Sequence, residues 1–192
     1  MKVVAFNGSA RKNGNTAIMV RKAFDALEAE GVETEMIQMA GKPICGCKAC
    51  YKCKTMQNQT CSTTDDDIND YVQKMVEADG IILASPVYFS DVTTEMKALI
   101  DRCGMVNRTS KQGFLDRKVG AGVVAVRRAG AMHTFDTLNH FFLISRMLVV
   151  GSTYWNIGHG RDKGEVSEDA EGMQTMTELG ANMAWALKKL AD

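Results

Sequence analysis

Apolar residues follow two alternating rhythms along the chain. Residues 3–6 (VVAF) form a short unbroken apolar run that stops at Asn7-Gly8, as a strand does when it ends in a turn. Ala17, Val20, Phe24 and Leu27 then return every three or four positions, which predicts an amphipathic helix closing near Gly31. Residues 33–39 read as a second strand with Met36 and Ile37 on its apolar face. Asp65, Asp66 and Asp67 precede Ile68, Val72, Met75 and Val76, the pattern of a capped helix. GIILAS at 80–85 is continuously apolar, like a strand covered on both faces of a parallel sheet. Met96, Leu99, Ile100 and Cys103 mark the next helix, and VGAGVVAV at 119–126 the fourth strand. Phe135, Leu138 and Phe142 begin another helical face, and residues 148–151 start a fifth strand. Met176, Leu179, Met183, Leu187 and Leu190 line a last helix.

Five alternations of strand and helix specify an α/β fold, a parallel sheet with helices on both faces. The 192 residues suit one domain, spanning 1–192, with a cysteine-rich segment at about 41–64 after the second strand. Residues 104–118 and 156–169 are long connections, of the kind that carry function or subunit contacts. There is no repeat and no proline-rich linker.

Charge narrows the partners. Lys and Arg number 23 and Asp and Glu 23, for a formal net charge of zero. No broad attraction to nucleic acid or an anionic membrane follows, and no apolar run approaches the ~20 residues of a membrane span. MKVVAFNGSA is too short an apolar start for a signal peptide and reads better as a strand. The expected compartment is therefore cytoplasmic. Clustered cysteines in that reducing setting more often bind metal or do redox work than form structural disulfides.

Ligands of open parallel sheets bind beyond the carboxyl ends of the strands, and three loops qualify. NGSARKNGNT at 7–16 has glycines for a tight path, with Ser9, Asn15 and Thr16 as donors, Arg11 as a charge and a helix start behind them. Such a loop suits a dianionic phosphate, although the same residues make a plain turn with a helix cap. It lacks the Walker A ending and the GxGxxG fingerprint. SPVYFSD at 85–91 places Pro86, Val87, Tyr88 and Phe89 after a buried strand. The aromatic pair could stack on a flat ring or pack into the core or a subunit contact. RRAGAM at 127–132 offers Arg127, Arg128 and Gly130 to a ring edge, or forms a solvated basic turn.

Cys45, Cys47, Cys50 and Cys53 fall within nine residues, and Cys61 follows. Cys47, Cys50, Cys53 and Cys61 are spaced C-x2-C-x2-C-x7-C, and such short steps let thiolates converge on one centre. An iron–sulfur cluster or zinc would accept four such ligands. Cys103 lies on an apolar helix face and reads as a small buried hydrophobe. His133, His140 and His159 have no metal-ligand spacing.

GSARKNGNT resembles the GSxRxxGNT loop of NADPH-dependent FMN reductases in the flavodoxin superfamily. SPVYF followed by TTEMKALIDR is similar to their flavin-ring loop and next helix. The resemblance runs from Lys2 to about Val150. It implies a flavodoxin-like three-layer sandwich with strand order 2-1-3-4-5. It implies FMN with its phosphate on Ser9, Arg11, Gly14, Asn15 and Thr16. The flavin ring would lie near Pro86, Val87, Tyr88, Phe89, Arg127, Arg128 and Gly130. The cysteine segment resembles that of the iron–sulfur flavoproteins in the same superfamily, which implies a [4Fe-4S] cluster on Cys47, Cys50, Cys53 and Cys61. Cys45 is a fifth thiol outside that motif, and related reductases keep cysteines here without a cluster.

The function expected is that of an FMN-dependent oxidoreductase, with the chemistry on the flavin and no catalytic acid or base in the chain. NAD(P)H or ferredoxin would be the donor and a small molecule such as a quinone or free flavin the acceptor. A homodimer or homotetramer is expected. The alternatives are a flavodoxin-like electron carrier, against which the balanced charge argues, and a cysteine-based redox sensor.

Overall fold

The computed structural model describes residues 1–41 and 43–191. Strands β1 (Lys2–Asn7), β2 (Glu33–Gln38), β3 (Gly80–Pro86), β4 (Val119–Val126) and β5 (Leu148–Val149) form a parallel sheet in the order β2-β1-β3-β4-β5. The expected flavodoxin-like strand order is therefore the one observed. Helices α1 (Asn15–Ala29) and α6 (Ala170–Ala191) cover one face. Helices α3 (Ile68–Glu77), α4 (Thr94–Thr109) and α5 (Ala131–Ile144) cover the other.

Alternation along each strand divides the core. Val3 and Ala5 of β1, Ile82 and Ala84 of β3, and Ala121, Val123 and Ala125 of β4 face α1 and α6. Val4, Phe6, Ile81, Leu83, Val124 and Val126 face α3, α4 and α5, as the two-residue period of a strand requires. Burying a side chain such as Phe6 or Leu27 contributes about 1.5–3 kcal/mol. The small residues let α6 lie close against α1. A Cβ at Gly180 of α6 would stand 2.2 Å from the Ala23 carbonyl oxygen of α1.

The register places all carboxyl ends at one edge. Asn7 is level with Gln38 and Ala84, Pro86 with Ala125, and Val126 with His159.

Five elements differ from the expected pattern. The fifth strand covers only Leu148–Val149, both exposed, opposite Val119 and Gly120. A further strand, β6 (Ile157–His159), then pairs with Val124–Val126, within a segment read as loop. The edge of β4 is thus shared by two short strands, and the chain between them carries Tyr154 and Trp155 outward. A short helix α2 (Lys52–Met56) lies within the cysteine segment. α5 begins at Ala131, so the third loop ends at Gly130. Leu190 does not complete the apolar face of α6, being exposed near its end. No described helix is long and apolar enough to cross a membrane.

Candidate functional site

The loop after β1 is fixed by hydrogen bonds from its own and neighbouring strands. The Ser9 N–H donates to Asn7 Oδ1 at 3.0 Å, and Ser9 Oγ accepts from the Arg11 N–H at 3.2 Å. Gln38 Nε2 donates to the Ser9 carbonyl at 2.6 Å, and Gln38 Oε1 accepts from Asn7 Nδ2 at 2.8 Å. Ser9 is buried, and its hydroxyl proton remains available to a ligand. At Gly8 a Cβ would lie 2.7 Å from Thr93 Oγ1 at the start of α4, so only glycine lets the loop pass that close. α1 then begins after Gly14 with no side chain capping it. Its first N–H groups and the positive end of its dipole are left for an anion. Thr16, on that first turn, is buried.

Asn15 does something the sequence did not announce. Its Nδ2 donates to the carbonyls of Gly160 and Asp162, both at 3.0 Å, and its Oδ1 accepts from the Gly164 N–H at 2.8 Å. The side chain is occupied in holding the loop after β6, which brings Arg161 to the site.

These loops enclose a cleft of about 180 Å³. Ser9, Arg11, Asn15 and Thr16 line one side, Pro86, Val87 and Tyr88 another, and Ala125, Arg127, Gly160 and Arg161 the remainder. Three arginines and no carboxylate among these residues make the cleft suited to an anionic ligand. A larger cleft of about 430 Å³ runs between α4 and α5. It is bounded by helix sides and touches none of the three loops.

Phe89, Arg128 and Gly130 stand off the cleft. Tyr88 and Asp91 exchange N–H···O=C bonds of 2.8 and 3.0 Å, closing a two-residue hairpin. Phe89 and Ser90 at its tip both have positive φ, 48° and 65°, as a type I′ turn demands. Phe89 is fully exposed there (108%), while Tyr88 is 48% exposed. Gly130 (φ 88°) admits the hairpin, since a Cβ on it would meet Ser90 Oγ at 2.9 Å. Arg128 faces a neighbouring cleft with Tyr154, Trp155 and His159.

The cysteine segment lies along α4. Cys45, Cys53 and Cys61 are half-buried, Cys47 and Cys50 exposed, and all five are free thiols. Ala49, Tyr51, Gln57 and Gln59 take left-handed φ values and wind the segment tightly. Cys53 and Cys61 pack against the core under α3 and α4. Asn69 of α3 grips Cys61 at both its N–H (2.7 Å) and its carbonyl (3.0 Å). Gln57 spans to the end of α4, donating to the Thr109 carbonyl at 2.7 Å and accepting from the Lys111 N–H at 3.0 Å. Asp66, which pairs with buried Arg102 of α4, also accepts from the N–H groups of Cys45 and Ile68. The Ser62 hydroxyl 3.3 Å from the Cys50 sulfur holds that thiol below its ordinary pKa. Cys103 is fully buried, which pushes its thiol pKa well up, so it is inert as a nucleophile.

Among the described residues, no three His, Cys, Asp or Glu side chains are grouped to hold one metal ion. The chemistry of the donors nevertheless fits a thiolate-bound centre. Five free thiols lie in one segment, and the guanidinium of Arg102 is directed at two of their sulfurs, Cys61 at 3.4 Å and Cys45 at 3.8 Å.

The family described as NADPH-dependent FMN reductase matches residues 1–162. This chain belongs to that family. It is an FMN-dependent oxidoreductase by that membership. It is 39% identical to an iron–sulfur flavoprotein of Methanocaldococcus jannaschii, across 98% of each chain. RosB, crystallised with a bound 8-demethyl-8-formylriboflavin-5'-phosphate intermediate, superposes with a TM-score of 0.79 at 18% identity, over 100% of this chain and 80% of that one. A flavodoxin from the domain Archaea superposes with a TM-score of 0.63 at 16% identity, over 98% and 99% of the two chains. The last two likenesses are of fold.

In this member of the family, four residues were missed from sequence. The sequence places Asn7 in the turn after the first strand, Gln38 inside the second and Arg161 in a long connection, with no signal that marks any of them as part of the site. Arg102 had a signal, because it follows Leu99 by three positions on an otherwise apolar helix face. A charge there needs a buried partner.

Proposed function

We propose that the chain holds FMN in the strand-end cleft and one [4Fe-4S] cluster on Cys47, Cys50, Cys53 and Cys61. It would take electrons from ferredoxin or NAD(P)H and deliver them to a small acceptor such as a quinone. When bound, FMN would supply hydride and one-electron chemistry and the cluster one-electron transfer. The observation that carries the reading is the uncapped start of α1 beside Arg11, Arg127 and Arg161, in a cleft whose lining has no carboxylate.

The chain's own groups divide the work. Ser9 Oγ, Thr16 and the first N–H groups of α1 would bind the phosphate, with Arg11 and Arg161 balancing its charge. Pro86, Val87 and Tyr88 would hold the ring, and Arg127 would stand at its edge. Asn15 fixes the loop that carries Arg161. The cluster part of the reading is supported by the cysteine spacing, by the free thiols beside Arg102 and by the name of the 39% identical relative. Exposed Leu143, Ile144, Leu148 and Val149 near the end of α5 support a homodimer or homotetramer.

Anaerobically purified protein should contain FMN with about four iron and four acid-labile sulfide per chain. It should also turn over a quinone with reduced ferredoxin or NAD(P)H. Full FMN without iron or sulfide would defeat the cluster reading and leave a plain flavin reductase. Stoichiometric zinc would make the cysteine site structural.

A further inference from the structure

Among the described residues, Arg102 is the largest fully buried side chain, at 1% exposure. It sits in the middle of α4, on the face turned to the cysteine segment. A guanidinium taken out of water must have its donors met. Here they reach both flanks of the segment. Nε donates to the Cys61 sulfur at 3.4 Å, and Nη2 to the Thr63 carbonyl at 2.9 Å. Nη1 donates to the Asp66 carboxylate, to the Cys45 carbonyl at 3.2 Å and toward the Cys45 sulfur at 3.8 Å.

We propose that Arg102 is the positioning residue of the cysteine centre. It sets the Cys61 sulfur in place for ligation and puts a fixed positive charge against that ligand. The inference rests on the cluster reading above. Two features separate it from a plain structural clamp. A clamp would need only carbonyl acceptors, and Thr63 and Cys45 already supply them, whereas Nε is directed at a sulfur. The carboxylate of Asp66 is drawn to the opposite arm of the fork and also accepts the Cys45 N–H at 3.2 Å, which leaves the Nε side to Cys61. Hydrogen bonds and charge at a ligating sulfur favour the more reduced centre and raise its potential. The same contacts give Cys45 a place. Its backbone N–H and carbonyl tie down the start of the segment, so its sulfur need not be a ligand, and Cys45→Ser should keep the centre.

The test uses anaerobic holoprotein and two variants, Arg102→Lys and the double variant Arg102→Met/Asp66→Asn, which removes both charges together. FMN content is the control for folding. The double variant should retain FMN and show a more negative midpoint potential and an altered EPR signal on reductive titration. It should also surrender iron to a chelator about tenfold faster. Arg102→Lys keeps the charge without the fork, so its potential should fall between the two. Wild-type potential, EPR signal and chelation rate in a double variant that retains FMN would overturn the inference alone. Loss of FMN with iron in both variants would assign Arg102 to the fold only and also overturn it. Wild-type protein with FMN and no iron would defeat the cluster reading and the inference with it.

Discussion

Asn15 shows how a residue can be in the right place for a reason its type does not reveal. Asparagine at a helix start suggests a capping acceptor or a ligand donor. Its side chain instead makes three hydrogen bonds to the loop at 160–164, 145 or more positions away in the chain, which no local pattern encodes. Asn15→Ala should therefore act at a distance. Amide exchange at 160–164 should speed up as the loop and Arg161 are released, and FMN affinity should fall about tenfold, near the ~1 kcal/mol of one or two hydrogen bonds. Unchanged exchange in that loop would show that Asn15 does not hold it. Ser9, Arg11, Thr16, Pro86, Val87, Tyr88 and Arg127 all line the cleft, because each follows directly from a strand end. Phe89 was less legible, since its position depends on a hairpin with two left-handed residues that favour Gly or Asn.

At the scale of elements, the long periodic segments were readable and the short ones were not. α1, α4, β3 and β4 carry enough apolar residues to declare their period. β6 has three residues and owes its strand geometry to the free edge of β4, and α2 has five residues with none buried. Tertiary context forms both. Helix packing yields a prediction in which two glycines behave oppositely. At Gly104 of α4 a Cβ would meet nothing nearer than the Phe141 ring at 3.7 Å, so Gly104→Ala should stabilise by about 0.5–1 kcal/mol through helix propensity. At Gly180 the Cβ would strike the Ala23 carbonyl at 2.2 Å. Backbone cannot yield as a side chain does, so Gly180→Ala should destabilise by about 1–2 kcal/mol despite the same propensity gain. Urea unfolding of both variants measures the signs. Stabilisation by Gly180→Ala would mean that α1 and α6 are not packed this closely.

For the whole molecule, α4 connects the two candidate sites. Thr93, at its start, lies against Gly8 of the loop after β1. Nine residues on, about 14 Å along the axis, Arg102 meets Cys45 and Cys61. Thr109 at its end accepts from Gln57 of the cysteine segment. One helix thus fixes the cysteine segment relative to the strand-end cleft. The central claim is that FMN sits in that cleft with its phosphate at the start of α1, and titration of the apoprotein with FMN tests it most directly. Wild-type protein should bind about one FMN per chain. Ser9→Ala/Thr16→Ala should bind it at least about tenfold more weakly, since hydrogen bonds to a charged group contribute roughly 1.5–3 kcal/mol each, while its circular dichroism stays that of wild type. Equal affinity in the double variant, or no FMN bound by the wild type, would contradict the account.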